Sequence, residues 1–186
     1  MANPAPGDLD LVRRFVNTVD LESGVDRFAD AASLQEWLQA HDLIPQGETI
    51  SSAELERAIE FREALRALAI ANAGHGDVPG NVLEALNRIA AAATLAVKVD
   101  EDGNPRLEAV ASGVDLALGR LLAIVLTAGV DGTWARLKAC HNDRCQWLYY
   151  DRSKNRSGRW CSMEACGNTI NARAYRARRK GGNGAD

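Results

Sequence analysis

The stretch "CHNDRCQWLYYDRSKNRSGRWCSMEAC", Cys140 to Cys166, holds every cysteine of the chain. Its spacing is Cys140-x4-Cys145-x15-Cys161-x4-Cys166. Two close thiol pairs separated by a hairpin-sized insert are the pattern of a four-thiolate tetrahedral site. Each pair turns the chain back, so that both sulfurs reach one ion. The insert reads as a hairpin of its own: "QWLYYD" is strand-like, "RSKNRSG" is a turn-rich loop, and "RWC" returns. Zinc is the ion expected, one per chain. A closed shell of four cysteines leaves no position for water, so its role is structural. Four free thiols or an iron–sulfur cluster are the alternatives, and His141 in place of Cys140 is a minor variant of the ligand set.

The rest of the chain sets the context for this centre. Of 186 residues, 46% are hydrophobic and 25% charged, which suits a soluble globular protein. The N-terminus "MANPAPGDLD" lacks the basic and apolar regions of a secretory signal. The run "LLAIVLTAGV" (121–130) falls short of the roughly 20 apolar residues a bilayer span needs. A cytoplasmic protein with reduced thiols and no membrane partner is the expectation, which favours a metal over disulfides.

Charge is unevenly distributed. Residues 134–186 hold 12 Lys and Arg against 4 Asp and Glu, a net +8, while residues 1–133 sum to −11. An acidic body joined to a basic end suggests two tasks on one chain. The punctuation "AGVDGTW" (128–134) marks the expected boundary: an acidic, mainly helical domain over 1–131, a zinc finger over 132–180, and a flexible tail over 181–186.

The body reads as helices with one hairpin. "DLDLVRRFVNTVD" spaces Leu11, Val12, Phe15, Val16 and Val19 helically. "SLQEWLQAHDL" opens on an expected Ser33…Glu36 capping box, and "SSAELERAIEFREALRALAIANAG" on Ser51…Glu54, with Gly74 as its stop. "PGNVLEALNRIAAAA" adds a shorter helix. Leu95, Val97 and Val99 then alternate, turn through Asp102-Gly103-Asn104-Pro105 and return through Leu107. A long helix follows with Val114, Leu118, Leu121, Leu122 and Val125 on its buried face. The fold class is therefore α+β. His41 and His75 read as surface or capping residues. No phosphate loop, nucleophile elbow or zinc-protease motif is present, so nothing indicates an enzyme.

After Cys166, "GNTINARAYRARRK" continues as a basic helix capped at Asn168 or Thr169, with Arg173, Arg176 and Lys180 on one face and Arg179 near it. The loop of the insert adds Arg152, Lys154, Arg156 and Arg159. Cations on a loop and a helix, fixed by one metal, are suited to phosphates.

The segment "RLKACHNDRCQWLYYDRSKNRSGRWCSMEACGNTINARAYRARRK" resembles a CGNR-type zinc finger. The likeness rests on the C-x4-C pair, "WLYYDRSKN", "RWCSMEACGN" and the closing "YRARR". Upstream, "RFVNTVDL", "LQEWLQAHDLI" and "FREALRALAIANA" resemble the ABATE domain that precedes such fingers. The resemblance implies a stress-linked transcription regulator that binds DNA, with Cys140, Cys145, Cys161 and Cys166 as zinc ligands and Asn168 in the name motif. Thr169 stands where the family has Arg, which removes one cation from the expected nucleic-acid surface. A homodimer and a small-molecule effector of the N-terminal domain are further expectations. The alternative is a zinc-stabilised RNA-binding or protein-interaction module.

Overall fold

A computed structural model describes residues 3–172. The chain runs α1 (Leu9–Val16), β1 (Val19–Asp20), β2 (Val25–Asp26), α2 (Ala31–Ala40), α3 (Ser52–Asn72), α4 (Gly80–Ala93), β3 (Leu95–Val99), β4 (Pro105–Ala109), α5 (Gly113–Val130), β5 (Leu137–Ala139) and β6 (Leu148–Tyr150). The strands form three separate antiparallel pairs: β1 with β2, β3 with β4, and β5 with β6. This is the α+β arrangement expected, with a mainly helical N-terminal region and the cysteines at the C-terminal end.

Local chemistry explains the ends of α2 and α3. Ser51 and Glu54 form the capping box at α3, each side chain accepting from the other's backbone N–H. Gly74, two residues past α3, takes φ +68°, the left-handed conformation that closes the helix. At α2 the expected box is displaced. Asp30 is the cap and Ser33 its third-residue partner, because the helix opens at Ala31 rather than after Ser33.

α3 and α5 carry the core. Ala58, Phe61, Leu65 and Ala69 of α3 meet Val114, Leu118, Leu121 and Val125 of α5, with Val12, Phe15 and Val16 of α1 beside them. Leu122 of α5 is only partly buried. By length and apolarity alone α5 could cross a membrane. Its core-facing side is committed to these neighbours.

The same core extends past residue 131. Leu137, Ala139, Leu148 and Tyr150, from one face of the β5–β6 pair, belong to the cluster built on α1, α3 and α5. Polar bonds reinforce the junction. Arg66 of α3, 3% exposed, donates to the carbonyls of Val16 (2.8 Å) and Gln146 (3.1 Å). Asn72, the last residue of α3, donates to the carbonyls of Trp134 and Leu137. The expected boundary segment is a tight connection: α5 ends, Gly132 turns at φ +78°, and a 3-10 turn (Trp134–Arg136) leads into β5.

Candidate metal centre and basic surface

The first cysteine pair sits at the tip of the β5–β6 hairpin. The sequence pattern pairs "WLYY" with the returning "RWC"; in the structure β6 pairs instead with Leu137–Ala139, directly upstream of Cys140. The Cys140–Cys145 segment is thus the turn of that hairpin. Its register is held by the Cys140 N–H donating to the Trp147 carbonyl (3.0 Å), and Gln146 takes φ +46° to close the turn. No strand forms over 159–161. That stretch is held to the knuckle by the His141 N–H, which donates to the Arg159 carbonyl at 2.9 Å.

Of the second pair, Cys166 lies on a π-turn, Met163–Gly167, and Cys161 stands just before its cap. That cap is Ser162, whose hydroxyl accepts from the Ala165 N–H at 2.9 Å. The expected caps, Asn168 and Thr169, lie inside the helical run that continues over 168–172. The Thr169 hydroxyl donates back to the Ala165 carbonyl (2.9 Å), a bond of helix interiors. The shift arises because the wide turn begins before Cys166 and carries the thiol within its first coil. Gly167 is closely approached there by two side chains. A Cβ would lie 3.0 Å from Trp160 Cδ1 and 2.6 Å from Met163 Sδ.

All four sulfurs lie within 4.8 Å of one another. Cys145–Cys161 and Cys161–Cys166 are each separated by 3.8 Å, Sγ to Sγ. Disulfide sulfurs would be about 2.05 Å apart. Four thiolates arranged tetrahedrally around zinc at about 2.3 Å would be about 3.8 Å apart. The donor set therefore fits Zn2+. Asn142 Nδ2 donates to Cys166 Sγ (3.4 Å), an outer contact of the kind that tunes thiolate charge. Hydrogen bonds from the Cys145 and Cys161 thiols, then from the Cys161 and Asn142 backbones, pull Cys140 well below the ordinary thiol range. Sharing its proton with Cys140 pushes Cys145 up, and the same bond pushes Cys161 up. A divalent cation replaces those shared protons.

Two family models match the chain. One, "Putative stress-induced transcription regulator", the ABATE model, covers residues 9–138; the CGNR zinc finger model covers 136–179. Together they span nearly all of the chain, and the first alone spans more than half. The chain belongs to the ABATE family. Among curated proteins no relative matches it. The ABATE and CGNR matches overlap at 136–138, where the 3-10 turn passes into β5 and Leu137 enters the shared core. The CGNR finger and the four-cysteine cluster together give one structural Zn2+ per chain.

Beyond the cysteines, the finger of this ABATE protein presents the loop 151–159. A buried ion pair supports it from below. Lys138 Nζ meets Asp151 Oδ2 at 2.8 Å, and both side chains are nearly inaccessible. Asp151 also accepts the N–H groups of Ser153 (3.0 Å) and Gly158 (2.8 Å), which closes the loop on itself. Lys138 donates further to the Arg156 carbonyl, and Arg136 to the carbonyls of Asp151 and Ser153. Burial opposes the Asp151 charge, but the bonds from Lys138, Ser153 and Gly158 outweigh it and bring the carboxyl down to about 2. Gly158 is fixed by contact, since a Cβ would stand 2.8 Å from the Asp151 carboxylate.

Arg152, Lys154, Arg156 and Arg159 are all exposed. Arg152 donates to the Pro4 carbonyl, and the Arg159 guanidinium lies 5.6 Å from the Trp160 ring centre. None of the four forms an ion pair among the described residues. Asn168 is exposed as well. Arg173, Arg176, Arg179 and Lys180 lie outside the described residues, as does the tail 181–186.

Sequence pattern alone misses four contributors. Lys138 and Asp151 carry no motif that announces burial. His141 suggests itself only as a metal ligand; its Nε2 instead donates to the Ala73 carbonyl at the end of α3 (3.1 Å). His75, isolated in the sequence, has its ring 4.7 Å from that of His141 and its Nε2 3.4 Å from Asp143. The end of α3 therefore rests on the first knuckle.

Proposed function

We propose that the chain is a cytoplasmic, non-catalytic, DNA-binding transcription regulator, in which the zinc finger over 132–180 contacts phosphates and the helical part over 1–131 carries the control. The observation that supports this reading is the anchored loop. Arg152, Lys154, Arg156 and Arg159 face solvent without acidic partners, on a backbone held by a buried ion pair and a metal. A surface built only for solubility would mix signs. Fixing the backbone before binding lowers the ordering cost when phosphates arrive. Cys140, Cys145, Cys161 and Cys166 hold the zinc, and the closed shell gives it no catalytic position. Asn168, exposed in the helical run after Cys166, belongs to the proposed surface, as do Arg173, Arg176, Arg179 and Lys180, which lie outside the described residues.

An effector of the N-terminal part would occupy the cleft of about 870 Å³ between the Pro6–Leu11 segment, β4 and α5. That volume is within the range of small-molecule sites, about 300–1,000 Å³.

The test is fluorescence anisotropy of the full zinc-loaded chain with duplex DNA and with structured RNA, across a salt series. DNA binding should weaken steeply as salt rises, since each neutralised phosphate releases counterion. Preference for RNA would select the RNA-binding alternative. Binding to neither, with zinc retained, would select a protein-interaction module.

A further inference from the structure

The β3–β4 hairpin has one closed edge and one open edge. β3 and β4 pair from Leu95↔Ala109 to Val99↔Pro105. Just beyond the strand ends, the Val110 N–H donates to the Thr94 carbonyl (3.2 Å), and the Asp100 N–H to the Asn104 carbonyl (3.0 Å). Backbone groups of successive residues in an antiparallel ladder point alternately toward and away from the partner. Ala96 and Lys98 therefore bond to β4, and Leu95, Val97 and Val99 direct their N–H and C=O outward. On β4 the outward residues are Pro105, Leu107 and Ala109. Pro105 has no N–H to offer, and β4 lies along α5, where a Cβ on Gly119 would be 2.7 Å from the Ala109 Cβ. Nothing comparable closes β3 among the described residues, and its pair has only two strands.

The side chains of this edge are apolar where solvent would call for polar ones. Leu95, Val97 and Val99 share a face with Pro105, Leu107 and Ala109. Val97 is 68% exposed and Val99 66%. A bare apolar edge is a template for another strand, and soluble proteins usually blunt such edges.

We propose that β3 is a homodimer interface, in which two copies of this chain pair β3 with β3, antiparallel, about a two-fold axis at Val97. The occupant is argued from the strand itself, because "LAVKV" is self-complementary in that register. Val97 faces Val97 of the second copy, and Leu95 faces Val99. Every outward N–H and C=O of Leu95, Val97 and Val99 finds a partner. On the other face Lys98 meets Ala96. Centring the axis on Lys98 would oppose two lysines, and centring it on Ala96 would leave Val99 unpaired. The Val97 register therefore satisfies the whole edge without opposing like charges. The result is a continuous four-stranded sheet with a shared apolar face.

The experiment uses the full zinc-loaded chain without nucleic acid, so its outcome is independent of the DNA-binding reading. Sedimentation equilibrium should give twice the 20.1 kDa chain mass, dissociating on dilution. Val97→Pro removes an N–H that the hairpin's own ladder does not use, so it should remain folded and sediment as a monomer. Val97→Cys should cross-link to a dimer on mild oxidation, while Lys98→Cys and the wild type should not. A wild type that stays monomeric at every concentration overturns the proposal, as does a folded Val97→Pro chain that still dimerises. Should Val97→Pro unfold, absence of the Val97→Cys cross-link decides against it.

Discussion

Asn17 and Leu148, 131 positions apart, exchange two hydrogen bonds: Asn17 Nδ2 donates to the Leu148 carbonyl at 2.9 Å, and the Leu148 N–H donates to Asn17 Oδ1 at 2.8 Å. A buried amide at the end of α1 thereby occupies the place a third strand would take beside β6. Asn17→Ala leaves both backbone groups of Leu148 buried and unpaired, at a cost of roughly 2–5 kcal/mol. Asn17→Asp retains an acceptor but sets a carboxylate against the carbonyl, and should be destabilising as well. Denaturant titration measures both.

Loss of zinc should be felt beyond the finger. Cys161→Ser should release the metal and lower the melting temperature of the whole chain in a single transition, because β5 and β6 share the core of α1, α3 and α5. Zinc content and hydrogen exchange at Asn72 and Ala73 are the measurements. Unchanged protection at the end of α3 after metal loss would contradict it.

Lys138→Met leaves Asp151 as an unpaired buried carboxylate, and should destabilise by about 3–5 kcal/mol. Gly158→Ala is a milder test of the same loop. It displaces the backbone from Asp151 while the thiolates stay in place, so zinc content should hold and affinity for a phosphate polymer should fall.

Acid should loosen this loop in a defined window. The folded pKa of Asp151 is lowered to about 2, against about 3.9 in an unfolded chain. Its stabilisation, about 2 kcal/mol, is fully present above the unfolded value and is lost as pH falls from about 4 through 2. Comparing unfolding of the wild type and Asp151→Asn across that range isolates the contribution: the difference between them should shrink as the pH drops.

Lys154→Glu together with Arg156→Glu should weaken binding to all DNA sequences alike and reduce the log–log salt slope, by about 0.9 for each phosphate that is no longer neutralised. Thr169→Arg, at an exposed position, should steepen the slope and tighten binding. No change in affinity would mean that position 169 faces away from the nucleic acid.

Much of this was legible in the residues. Ser51…Glu54 and Gly74 are decided within a few positions, so local chemistry suffices to place them; the hairpin turn expected over Asp102–Pro105 instead spans Asp100 to Asn104, with Pro105 already in β4. The four cysteines were legible because thiols at that spacing serve few other ends. The hairpin partner of "WLYY" was not, because both "LKA" and "RWC" lie within reach and only the core beneath β5 decides between them. Likewise nothing local marks Lys138 for burial. Its charge is tolerated only because Asp151, 13 positions on, arrives beneath the same loop. Arg62 and Arg66 sit on a charge-rich helix whose pattern suggests solvent. Both are buried, Arg62 in a two-pronged contact with Asp26 at 2.7 Å.

The shared core also has a meaning for anyone wishing to reuse the finger. Leu137, Ala139, Leu148 and Tyr150 turn one side of the β5–β6 ribbon into a greasy underside that α1 and α3 keep dry. Cut away at residue 132 and grafted onto another protein, the ribbon would carry that underside into water and lose Asn17, Arg66 and Asn72, which hold its carbonyls. A successful transplant would have to bring those helices along, or repaint the underside with polar side chains. The finger is less a detachable tool than the outer skin of the body beneath it.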